Sequence, residues 1–336
     1  MIIFAKNYRK GNHYLSLMKD ISKIVDIILS NTCIINAAGL YHGKAGVALA
    51  LFEASRHLQS EDIENEAYKL FQEALIHSEK DFTFENGLSG IGYALCYLIN
   101  NNLAKANFDE IFGEKFELIV RSLEDIEKKP DRILNVFQVV YFLSTAKRND
   151  ERPQIIIKTI LEGLELFLTL QFQDFLDLHY VNDKMAVLKI FERYLKLVNF
   201  IDYKHFSHTL IRNYALLYRE KKVLSSLTIG YNLGLLVRNN TIQNFHDVIQ
   251  AHIENGIRNI QAAAISLQDK IDAMKLLADI ESNLRHPELA GSLFSTSFFY
   301  QENLLESINY NAAPVGYKDG LARLLLFLIN SNNELL

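Results

Sequence analysis

Apolar residues follow two rhythms along this chain. In Ile63–Leu75 they fall at positions 63, 67, 70, 71, 74 and 75, one stripe of a helical period. Phe108, Phe112, Phe116, Ile119, Leu123 and Ile126 make a second stripe. Ile242, Phe245, Ile249, Ile253, Ile257 and Ile260 make a third. Such stripes predict helices with one solvated face. The same pattern predicts further striped helices at Tyr14–Leu29, Ile155–Leu170 and Phe206–Tyr218. Between them lie more evenly apolar runs, such as GLYHGKAGVALALFEA from Gly39 and NGLSGIGYALCYLI from Asn86. These predict buried helices near residues 43–55, 90–99, 133–145, 184–195, 230–238, 270–280 and 318–330. A striped helix alternating with a buried one is the unit of an all-α repeat protein.

The glycines set the period. Ten of the 15 fall in four groups, each opening an apolar run: Gly39, Gly43 and Gly46; Gly87, Gly90 and Gly92; Gly230 and Gly234; Gly316 and Gly320. Gly46, Gly90, Gly234 and Gly320 are separated by 44, 144 and 86 residues, which is six steps of roughly 46. Seven units follow, three without glycines. The missing three fall on RILNVFQVVYFLSTA, KMAVLKIFERYL and KIDAMKLLADI. Curled into a ring, seven helix pairs make an α/α toroid of two concentric layers, a single domain over residues 1–336. The evenly apolar inner runs favour the ring over an open row. Glycine is expected at these turns for positive φ and for close backbone approach. The four prolines, Pro130, Pro153, Pro287 and Pro314, all stand between apolar runs, where none would kink a helix.

Composition narrows the function. The chain has 336 residues and a net charge of −5, so bulk charge does not make it a nucleic-acid binder. Its two cysteines, Cys33 and Cys96, exclude a disulfide scaffold and suit a reducing compartment. They also speak against a thiolate-type structural zinc site. No stretch reaches about 18 consecutive apolar residues, so no membrane span is expected. MIIFAKNYRK lacks the order of a secretory signal, and the expected location is the cytoplasm.

The motifs GLYHGKAGVALAL and ENGLSGIGYALCYL resemble the lanthionine synthetase C-like family, whose inner helices open on GLxxGxxG turns in a seven-unit toroid. The resemblance implies a cyclase for ribosomally made peptides, adding a cysteine thiol to a dehydrated Ser or Thr. It implies a zinc ion held by two cysteines and a histidine, which lowers the thiol's pKa. The cysteines belong to a Trp-Cys-x-Gly motif in unit five and a Cys-His-Gly motif in unit six. This chain departs from both. Leu227 and Thr228 stand where Trp and Cys belong, and AAAISLQDKIDAM at 262–274 has no Cys, His or Gly. No metal and no cofactor is therefore expected.

Two positions match the family's catalytic ones. Asp131, before the third inner run, matches its Asp, and His179 matches a His before the fourth, with Tyr180 in place of the following Gly. An N-cap after Pro130 is the plainer reading of Asp131, and a loop histidine that of His179. His42 and Glu85, in the first two glycine turns, are candidate ligand-binding residues. His205 and His208 are spaced to share a helix face but lack a third metal ligand. Inner-helix starts, with free N–H groups and positive dipole ends, are expected to gather Asp131, His179, His42 and Glu85 on one concave site.

Three functions fit. The first is a zinc-less protein that binds a precursor peptide or a peptide-modifying enzyme. The second is a cyclase using His179 as base without a metal. The third is a carbohydrate enzyme using Glu85 and Asp131 as its two carboxylates.

Overall fold

In the computed structural model, the structure describes residues 18–76, 81–124, 126, 130–146, 150–175, 181–240, 245–262, 267–280 and 313–329. The fold is all-α, and no strand occurs among the described residues. Residues 18–30 form α1, followed by a 3-10 turn at Thr32–Ile34. The succeeding helices are α2 (Lys44–Leu58), α3 (Glu61–Ile76), α4 (Leu88–Asn100) and α5 (Phe108–Glu124). Next come α6 (Pro130–Val136), α7 (Val139–Thr145), α8 (Arg152–Gln173), α9 (Val181–Phe200) and α10 (His208–Arg219). The last are α11 (Leu227–Asn240), α12 (His246–Ala262), α13 (Leu267–Asp279) and α14 (Leu321–Ile329).

Each evenly apolar run is a helix, and each striped run precedes or follows one. The difference in burial follows the difference in pattern. In α2, every residue from Ala45 to Ser55 is buried. In α3 only Ala67, Leu70, Phe71 and Ala74 are, one stripe of the period. The third buried run is the exception. A single helix is expected there, but the chain breaks at Phe137–Gln138 into α6 and α7. Tyr141 N–H reaches back only to the Gln138 carbonyl, a tightened turn, and the buried Gln138 Oε1 has no partner among the described residues. Two prolines open helices: Pro130 is the first residue of α6 and Pro153 the second of α8. Pro287 lies outside the described residues.

The helices gather into two compact units. The first comprises Met1–Phe112, Ser266–Lys275 and Ser295–Leu336. Within it, α2 packs on α3, on α4 and on α14, so the last inner helix of the chain lies against the first. A carboxyl group is buried here: Glu53 on α2 accepts from Tyr97 Oη at 2.5 Å and pairs with Arg56. Two partners keep that carboxylate from being an orphan in an apolar helix.

The second unit comprises Gly113–Ile265 and Leu276–Phe294. Here α8 packs against α6, α7, α9 and α10, while α11 lies against α9 and α12. Its core holds an aromatic cluster, Phe172, Phe191 and Tyr214, with Phe191 and Tyr214 centroids 4.4 Å apart. Truncating a buried ring such as Phe191 to alanine costs about 3–5 kcal/mol.

Candidate functional site

Three of the glycine turns belong to the first unit, and they share one construction. Two residues before the helix-opening glycine stand Tyr41, Glu85 and Lys318; one residue before it stand His42, Asn86 and Asp319. Each turn folds back on its helix through a bond spanning seven residues. Lys44 N–H donates to Ala37 O at 2.9 Å, Leu88 N–H to Asp81 O at 2.8 Å, and Leu321 N–H to Pro314 O at 2.8 Å. A second such bond follows in two of them, from Ala45 to Ala38 and from Ala322 to Val315. In the remaining turn Ser89 Oγ does the same, donating to Phe82 O at 2.6 Å.

This construction corrects the expectation of free helix-start donors. The first N–H groups of α2, α4 and α14 are taken by their own turns, so they do not wait for a ligand. Nor do the glycines serve positive φ, since no described glycine has it. Gly43 and Gly87 are extended, with φ −115° and −108°. Among the described residues the left-handed ones are Gln59, Asn102, Asp202 and Lys221, at helix ends. The glycines are there for contact. A Cβ on Gly39 would enter the Asn86 backbone, and one on Gly46 would enter the Leu40 carbonyl and the Tyr317 side chain.

The close contact lets equivalent positions of the three turns join. Tyr41 N–H donates to Glu85 O at 2.8 Å, and Lys318 N–H donates to Tyr41 O at 3.0 Å. The second turn thus holds the first, and the first holds the last. The side chains at the same positions meet as well. Lys318 Nζ lies 4.7 Å from the Tyr41 ring centroid and 3.9 Å from Glu85 Oε1. One position on, His42 Nδ1 is 3.4 Å from Asp319 Oδ1. The four charged or titratable groups of this cluster are 30–49% exposed. Below them Arg323 donates to Asp272 at 2.7 Å and bonds the buried Tyr317. Burial works against the Arg323 charge, but Asp272 and Tyr317 outweigh it and hold the guanidinium more firmly protonated.

Of the candidate residues, His42 and Glu85 are brought to the same pair, Lys318 and Asp319. Asp131 is the second residue of α6, inside its first turn and not its N-cap; its side chain lies outside the described residues, as does all of His179. His205 and His208 do not share a helix face. His208 opens α10 and stacks on Phe206, while His205 sits in the preceding turn against Tyr203. Tyr41, Lys318 and Asp319 were missed. Aligning YHG, ENG and KDG on the helix-opening glycine would have found them. The repeat count instead paired Gly320 with Gly46 and Gly90, although it stands where Gly43 and Gly87 stand.

The chemistry of the cluster is that of charge and hydrogen bonding. Cys96, on α4, is no nucleophile, since burial pushes its thiol up to about 12. Cys33 is exposed in the 3-10 turn. The start of α11 does not fit a zinc ion either. Leu227 is buried and donates nothing, and Thr228 offers only a hydroxyl. The imidazole that lies against this turn, His252, has both nitrogens engaged, with Ser226 N–H and Tyr214 Oη. Among the described residues no three His, Cys, Asp or Glu side chains gather as metal ligands.

Residues 34–162 match the model of the lanthionine synthetase C-like proteins. This region is similar to the lanthionine synthetase C-like proteins. The match runs from the 3-10 turn into α8 and includes the first two glycine turns. It ends before α11 and so before Leu227 and Thr228. No curated protein and no solved structure matches the chain. No described helix is long and apolar enough to cross a membrane.

Proposed function

We propose that this chain is a zinc-less lanthionine synthetase C-like protein that binds a precursor peptide, or the enzyme acting on it, during maturation of a ribosomally made peptide. Its helix pairs would close into one toroidal domain, and α14 lying on α2 supports that closure. The observation that carries the binding role is the mixed-charge cluster on the joined glycine turns. Lys318, Glu85, His42 and Asp319 present both signs of charge, partly exposed, on a backbone fixed by hydrogen bonds. Fixed polar groups of this kind read a peptide by orientation and not by bulk charge. The Cys96 thiol, which burial pushes up to about 12, takes no part in this cluster, and Leu227 and Thr228 stand where the family's Trp and Cys belong, which supports a zinc-less reading.

The test uses a labelled peptide carrying one dehydroalanine and one cysteine. Fluorescence anisotropy should give saturable binding, and mass spectrometry after thiol alkylation should show ring closure no faster than without protein. Closure accelerated by the chain would establish a metal-free cyclase instead. Absence of binding to the peptide, together with capture of a purified dehydratase, would move the role to the partner enzyme.

A further inference from the structure

His252 is the one histidine buried completely among the described residues, and its surroundings decide which protonation state it can hold. It lies on α12, facing the loop that starts α11. Ser226 N–H donates to its Nδ1 at 3.0 Å, so Nδ1 carries no proton. A neutral ring then has its proton on Nε2, which donates to Tyr214 Oη at 3.1 Å. The ring is stacked on Tyr218 with centroids 3.9 Å apart, and Gly230 leaves the room its Cβ needs. The turn itself is drawn in through Ser225, whose hydroxyl meets Tyr218 Oη at 2.8 Å and Asn255 Nδ2 at 3.4 Å.

Among the described residues, no charged side chain bonds to the ring. From α10 the facing titratable groups are Tyr214 and Tyr218; α11 and its preceding loop offer Ser225, Ser226, Leu227 and Gly230, none of which titrates. Glu192 of α9 acts on Tyr214. On α12, Asp247 is paired with Arg219 at an exposed end, and Glu254 is held by Gln250. A second proton on the ring would set Nδ1–H against Ser226 N–H, donor against donor, with no counter-ion bonded to it among the described residues. Burial accordingly pushes the imidazole down to about 4.

We propose that His252 is a proton-operated latch on the start of α11: neutral, it holds the Ser225–Ser226 turn in place, and protonated, it releases that turn while the rest of the second unit stays folded. The test is amide hydrogen exchange on the full chain from about pH 7 to about pH 4.5, corrected for intrinsic rates. Protection at Ser226–Gly230 should fall by about ten-fold per pH unit below the ordinary histidine range, because the open turn binds the proton and the closed one does not. Protection at Ile160–Leu168, in the same unit, should stay level. His252→Gln retains an acceptor for Ser226 and a donor for Tyr214 without titrating, so its turn should show no pH dependence. A parallel fall in both segments, or a pH-dependent turn in the glutamine variant, would overturn the latch. Should that variant fail to fold, imidazole nitrogen NMR of the unsubstituted chain decides the matter. Nε2–H at neutral pH upholds the latch, and Nδ1–H or imidazolium there refutes it.

Discussion

Lys318 is joined to Tyr41 twice. Its backbone N–H donates to the Tyr41 carbonyl at 3.0 Å, and its ammonium lies 4.7 Å from the Tyr41 ring centroid. The two residues hold equivalent positions in the last and first glycine turns, 277 positions apart in sequence. The backbone bond does not depend on the side chain. What the lysine adds is a partly exposed cation shared between a ring and Glu85.

Replacing that cation should therefore trim stability without undoing the joint. A cation–π contact at a partly exposed site contributes about 0.5–1 kcal/mol, and a loose ion pair no more. Lys318→Met should cost about 1 kcal/mol in urea unfolding. In a double-mutant cycle with Tyr41→Leu, a coupling near 0.5 kcal/mol is expected. Zero coupling would mean that Glu85 alone places the ammonium.

The glycines should respond far more sharply, and unequally. A Cβ on Gly46 would overlap the Leu40 carbonyl, which is fixed backbone. On Gly316 the nearest atom would be the Tyr41 carbonyl oxygen at 3.0 Å, with nothing else closer than 3.5 Å. Gly46→Ala should lose at least 3 kcal/mol, roughly the upper end of single-site effects, and Gly316→Ala about 1 kcal/mol. Equal losses, read by thermal unfolding, would show that the turns move to accommodate the added carbon.

The helical inventory was legible because burial in a helix-pair repeat writes itself as period and evenness of apolar residues. Ile63–Leu75 and the run from Gly39 were assigned to opposite kinds of helix, and α3 and α2 are those kinds. Less legible was anything that depends on contact between distant turns. Tyr41, Glu85 and Lys318 share a register, but only the packing of α14 on α2 turns register into hydrogen bonds. The break at Phe137–Gln138 has no Gly or Pro to announce it. His252 hid inside a stripe whose isoleucines explained the helix without it.

Glu165 should make stability fall as pH rises through the weakly acidic range. It joins three helices, accepting from Tyr194 Oη at 2.6 Å and from Ser207 N–H at 3.1 Å. Burial raises its carboxyl above the ordinary value, although both donors oppose that shift and nearby Glu162 adds to it. The folded state thus keeps the proton to higher pH than the unfolded chain. It binds more protons across that window, so stability declines as pH climbs through it and is level above. Glu165→Gln preserves the acceptor and removes the charge. Its gain in urea midpoint over the unsubstituted chain should grow between about pH 4 and pH 7. A gain that shrinks instead would mean that the buried carboxylate is a net stabiliser.

The two thiols should differ in reactivity by orders of magnitude. With Cys96 held at about 12, only about one thiol in ten thousand is ionised at pH 8. Cys33 is exposed. Ellman's reagent should titrate one thiol per chain promptly under native conditions and the second only with denaturant. Two prompt equivalents would mean that α4 opens readily.

The placement of function on the glycine turns is tested by a substitution series read for affinity and melting temperature together. His42→Ala and Glu85→Gln change residues that are partly exposed and bound to Asp319 and Lys318 by contacts of 3.4 and 3.9 Å, too loose to carry much stability. Each should weaken peptide binding by about ten-fold, which is about 1.4 kcal/mol, and move the melting temperature by no more than a few degrees. Glu66→Ala removes an exposed pair with Lys69 on α3 and should alter neither. Asp131→Ala discriminates between two roles. Within the first turn of α6, an acidic residue gains about 0.3–1 kcal/mol from the helix dipole whatever else it does. A loss of affinity beyond that small loss of stability gives Asp131 a part in peptide binding. A lowered melting temperature with unchanged affinity assigns it to the helix start alone, and His179→Ala, read in the same way, then stands as the remaining candidate of the fourth unit.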